Sequence, residues 1–78
     1  MITACQIRAA RALLGWSQQD LADKSVISVN AIRRLETGEV DPRLSTVTAV
    51  QKAIVKAGVV LLQNGDMGEG VRFAKPKR

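Results

Sequence analysis

Ile7, Ala10 and Leu14 recur at helical spacing, and Thr3 stands where an N-cap belongs, so the chain predicts a first helix ending near Leu14. Arg8 and Arg11 lie on its flanks, and Gly15 supplies the stop because a residue without Cβ accepts a left-handed backbone. A second helix start follows at once. Ser17 is a good N-cap with Asp20 three residues on, an aspartate version of the capping box, while Trp16 and Leu21 occupy the two positions of a hydrophobic staple. This helix is expected to reach about Lys24, with Leu21 and Ala22 inward.

Ser28 then caps a third helix. Ile32 and Leu35 make its apolar side, Asn30, Arg33, Arg34 and Thr37 its polar side, Val29 lies in its first turn, and Gly38 ends it. The segment "EVDPR" reads as an extended joint, because Pro42 biases Asp41 away from helix. A fourth helix begins at or near Ser45 and carries Val47, Val50, Ile54 and Ala57 at helical spacing before Gly58. The pattern changes after that glycine. "VVLL" is a short, partly β-branched apolar run, "QNGDMGEG" is turn-rich with Asn64–Gly65 as its turn signal, and "VRFAK" alternates. These predict a hairpin or two short strands, which must pack on the helices or meet a partner's strand to be stable.

The predicted architecture is therefore all-α: a compact four-helix domain over residues 1–58, with a strand-like extension and basic tail over 59–78 as a candidate dimerisation element. Seventy-eight residues suffice for one small core, and a unit of that size gains from packing on a second copy. The formal charge of +5 favours a polyanionic partner. The absence of histidine removes the usual acid–base group and most zinc sites, and with no metal spacing or activated nucleophile the chain does not read as an enzyme. Cys5 is the only cysteine, so no intrachain disulfide forms; it is expected as a small buried or half-buried residue of the first helix. No membrane span or signal segment is apparent, and the cytoplasm is the default compartment.

Two short helices joined by a three- or four-residue turn form a helix-turn-helix, whose second helix presents its N-terminal surface to the DNA major groove. On that geometry Asn30 is suited to adenine, Arg34 to a bidentate guanine contact, and Val29 to a thymine methyl. Gln18 is placed to reach a phosphate or to brace the reading helix. Ser28, Arg33 and Arg43 are candidates for the DNA backbone.

The segments "RAARALLGWSQQDLA", Ser28 with Ile32, "LETG", and Pro42 followed by "STVTAVQKAI" together resemble the Cro/CI-type, or XRE-type, helix-turn-helix family over Ile7 to about Gly58. The resemblance implies a compact four- or five-helix fold and binding of operator DNA, commonly as a homodimer; no cofactor or metal is expected. It places the family's phosphate-contacting glutamine at Gln18 and its base-reading positions at Val29, Asn30 and Arg34. It places the frequent ion pair between the first and third helices at Arg11 and Glu36.

The sequence departs from that pattern in three places. The corner position usually held by glycine is Val26, so the corner either adopts another conformation or is strained. Glu39 and Asp41 would repel phosphates if they faced DNA, and a hairpin-like ending with Arg72, Lys75, Lys77 and Arg78 stands where a fifth helix is usual. The expected function is sequence-specific binding of double-stranded DNA as a bacterial or phage-type transcriptional regulator. The second reading is a protein–protein regulatory module on the same fold, antiactivator- or antitoxin-like.

Overall fold

A computed structural model describes residues 2–38, 43–62 and 70–74. Four helices come first: α1 (Ala4–Leu14), α2 (Gln18–Ser25), α3 (Val29–Thr37) and α4 (Leu44–Lys56). Strands β1 (Val59–Leu62) and β2 (Gly70–Phe73) follow and pair antiparallel, with Val59 opposite Phe73 and Leu62 opposite Gly70. This is the lambda-repressor-like arrangement of helices with a hairpin added. The turn expected at Asn64–Gly65, the joint residues Glu39 and Asp41, and the basic residues Lys75, Lys77 and Arg78 all lie outside the described residues.

The caps explain where the first three helices begin. The Thr3 hydroxyl accepts from the Gln6 N–H while the Gln6 side chain accepts from the Thr3 N–H, a complete capping box. Ser17 and Asp20 repeat the arrangement on α2, at 3.0 Å and 2.9 Å. Ser28 caps α3 by accepting from the Ala31 N–H. Helix α4 has no side-chain cap: it opens one residue before Ser45, with Arg43 at the N-cap.

The Ser17 N–H and the Ser17 hydroxyl, with the nearby Lys24 charge, hold the Asp20 carboxyl below its ordinary value of 3.8. A depressed carboxyl contributes stability above its unfolded pKa and loses it as pH falls through the folded one. Asp20→Asn is therefore expected to melt below wild type at neutral pH, with the gap closing under acid titration below pH 3.8. Thermal melts across pH test this; a gap that stays constant into strong acid contradicts it.

The α2–α3 corner resolves the alternatives left by the sequence. Val26 is left-handed, with φ 56° and ψ 48°, the only non-glycine residue of positive φ among the described residues. The reason is the hydrogen bonding of the corner. The Ile27 N–H must reach back to the Ala22 carbonyl, a six-to-one closure that requires one left-handed residue, and Ile27 then packs on the core. Valine takes the glycine conformation at a cost of about 1–3 kcal/mol, so the corner keeps its shape. Because the Val26 side chain is 90 % exposed, it gains little packing in return. Val26→Gly is expected to stabilise the fold by about 1 kcal/mol after glycine's extra chain entropy, raising the melting midpoint by roughly 4–8 °C. A lower midpoint would contradict this account.

One core joins all the elements. Ile7, Ala10, Leu21, Ala22, Ile32, Leu35, Val47, Val50 and Ile54 are buried together, and Val59 of β1 is buried with them. Ala57, expected on the same apolar face, is instead exposed at the C-cap of α4. Leu61, Val71 and Phe73 pack against this core, so by strand alternation Val60, Leu62 and Arg72 lie on the outer face of the hairpin. Sequence reasoning missed the residue that docks it. Gln6 is buried, and its amide nitrogen donates to the carbonyls of both Leu62 and Gly70, at 2.8 Å and 3.0 Å, closing the far end of the hairpin onto α1.

Candidate nucleic-acid interface

Helix α3 is the most sharply two-faced of the helices. Ile32, Leu35 and Glu36 are buried on one side, while Asn30, Arg33, Arg34 and Thr37 follow the i, i+3, i+4, i+7 rule on the exposed side. Its first turn carries no acidic residue, leaving the positive end of the helix dipole uncompensated beside the exposed Ser28. Val29 is half-buried and packs against the core, so its side chain is only partly available outward. The Arg34 guanidinium is exposed and without a partner among the described residues. Arg43, also exposed, sits at the start of α4.

The buried carboxylate of Glu36 holds this helix in place. Arg11 on α1 donates through Nε to Oε2 at 2.5 Å and through Nη2 to Oε1 at 2.8 Å, so the ion pair that the family resemblance implies takes the form of a bidentate fork. Its third nitrogen donates to the Trp16 carbonyl at 3.1 Å, so one guanidinium ties α1, the α1–α2 turn and α3 together. The hydrogen bond to Glu36 holds the Arg11 pKa above its ordinary value, with the carboxylate's charge adding to it against the desolvation of burial. Gln18 on α2 donates to Glu36 Oε1 at 3.2 Å. Three helices thus converge on one buried acid. Arg8, expected only on a flank of α1, donates to the main-chain carbonyl of Glu36 near the C-terminal end of α3, where a cation also suits the helix dipole.

That network continues onto the exposed face. The Gln18 carbonyl oxygen accepts from Arg33 Nε at 3.3 Å, and Arg33 Nη1 donates to Asn30 Oδ1 at 3.3 Å. The Gln18 side chain therefore bonds to α3 at two points, the Glu36 carboxylate and the Arg33 guanidinium. Among the remaining candidates, Cys5 departs from expectation: it is exposed on α1, where the Arg8 guanidinium one turn on lies 3.2 Å from its sulfur. Arg72 is exposed and donates to the Phe73 carbonyl.

Among the described residues no group of three or more cysteine or acidic side chains is placed to hold a metal ion, and no helix is long and apolar enough to cross a membrane. No curated protein matches the chain. The family model described as helix-turn-helix matches residues 7–54, the segment that runs from the first core residue of α1 to the last of α4 and includes Arg11, Gln18, the Val26 corner, α3 and Glu36. The chain therefore belongs to the helix-turn-helix family of the Cro/CI, or XRE, type, a non-catalytic family with a DNA-binding regulatory role.

Proposed function

We propose that the protein is a transcriptional regulator of the bacterial or phage type that binds a short, roughly palindromic duplex as a homodimer in the cytoplasm. The observation that carries this reading is the exposed face of α3, which bears Asn30, Arg33 and Arg34 and no acid in its first turn, anchored from behind through Glu36. A helix of that kind fits the major groove with its N-terminal end toward the bases. Asn30 and Arg34 read base edges, with Val29 adding an apolar contact at the start of the helix. Ser28, Arg33 and Arg43 meet the DNA backbone, and Gln18 meets it through its main-chain N–H at the start of α2 while its side chain braces α3. The extension over residues 59–78 supplies the dimer contact, for which the outer hairpin face offers Val60 and the 40 % exposed Leu62.

Selection of bound duplexes from a random pool tests this directly. The expected outcome is an enriched site with two-fold symmetry, because a symmetric dimer reads each half-site with one α3. Enrichment of no sequence overturns the reading.

The exposed Val26 and Leu62 favour a second reading, in which the same fold sequesters another regulator or a toxin. Under that reading Leu62→Asp abolishes partner capture while Arg34→Ala leaves it intact.

A further inference from the structure

Asn30 is the residue whose amide would be assigned to adenine from its type alone. The bidentate adenine contact requires both ends of the carboxamide: the oxygen accepts from the base N6–H and the nitrogen donates to N7. In this chain the oxygen is already engaged. Arg33, one turn further along α3, donates to Asn30 Oδ1 at 3.3 Å, which engages the oxygen within the helix surface and leaves the NH2 group as the end of the amide still able to bond to a ligand. Arg33 is itself steadied by Gln18 Oε1, Gln18 by Glu36, and Glu36 by the fork of Arg11. The individual Arg33 contacts are longer than an ordinary N–H···O bond, so their effect is one of orientation more than of binding strength. They form the exposed end of a chain whose other end is a buried ion pair.

We propose that Arg33 is a positioning residue that sets the base preference of Asn30, holding its carboxamide as a donor so that it selects guanine over adenine. Guanine presents two acceptors in the major groove, N7 and O6, and no donor that would need the Asn30 oxygen. Adenine would have to share that oxygen with the guanidinium or displace it. The inference rests on the DNA-reading role of α3 and adds to it the identity of one base and the residue that decides it.

Duplex selection with three proteins tests both levels separately. Asn30→Ala identifies the base position that Asn30 reads, as the one position whose preference is lost. Wild type is expected to prefer guanine there. Arg33→Met keeps the side-chain stem of an exposed residue but removes both the clamp and the phosphate contact; affinity is expected to fall alike on every sequence, while the guanine-to-adenine ratio at that one position moves toward adenine by roughly fivefold or more. Adenine already preferred by wild type, a ratio unmoved in Arg33→Met, or no position lost in Asn30→Ala overturns the assignment while leaving DNA reading in place. Failure of wild type to enrich any sequence overturns DNA reading and this inference with it.

Discussion

Arg11→Met is expected to cost the fold about 3 kcal/mol and lower its melting midpoint by roughly 12–24 °C. The cause is what the substitution leaves behind. Glu36 is only 4 % exposed, and without Arg11 its carboxylate keeps one side-chain donor, the amide of Gln18 at 3.2 Å. An uncompensated buried charge is the costly half of a broken pair, whereas the intact pair contributes little beyond a hydrophobic replacement. The double variant Arg11→Met with Glu36→Leu should therefore recover most of the loss, to within about 1 kcal/mol of wild type. Chemical denaturation of the two single variants and the double one completes the cycle. Single-variant losses that add in the double variant would show that the ion pair does not hold the three helices together. The functional consequence follows from position: the pair sits directly behind the face of α3 that carries Asn30, Arg33 and Arg34.

Arg34→Ala is expected to behave in the opposite way, leaving stability within about 0.5 kcal/mol of wild type while weakening binding to the selected duplex by roughly 5- to 150-fold for each half-site. Its guanidinium is exposed and free of partners among the described residues, so nothing in the fold depends on it. The loss should fall on one base position of each half-site, where discrimination relaxes. Arg43→Ala provides the contrast. As a phosphate contact on each protomer of the dimer, it should weaken binding to every sequence alike and reduce the salt slope by about two. Measuring both variants on the selected and on a scrambled duplex separates these effects. An Arg34 variant that binds the selected duplex as wild type does removes this residue from the reading surface.

Most of the helical frame was legible because its signals are local. Thr3, Ser17 and Ser28 each cap within three residues, Gly15 and Gly38 close helices by left-handed turns, and the apolar spacing marks the core face. The Arg11–Glu36 pair, 25 positions apart, came from the family resemblance, since nothing local connects those residues. Gln6 was hidden for a related reason. Its place in the capping box has a sequence signature, yet its two donors to Leu62 and Gly70 depend on where a distant hairpin settles. Arg8 reads only as a flank residue because an arginine on a helix flank usually faces water, and only the packing of α1 against α3 brings it to a main-chain carbonyl. The corner at Val26 is the instructive case. Residue type argued against a left-handed backbone there, and the six-to-one bond from Ile27 to Ala22 outweighed it. Tertiary geometry decided where propensity pointed elsewhere. The exposed side chains of α3 belong to a different kind of gap: type and spacing nominate Asn30 as a base reader, but only the structure shows its amide oxygen already bonded to Arg33.

Equilibrium binding across a salt series tests most directly whether the exposed face of α3 meets duplex DNA. Each neutralised phosphate contributes about −0.9 to the slope of log affinity against log salt concentration. Arg33 and Arg43 on each protomer of a dimer predict a straight line with a slope of about −3 to −4, for both the selected and bulk duplex, with the selected duplex bound more tightly throughout. Binding that is absent for both duplexes, or that does not change with salt, would contradict the account.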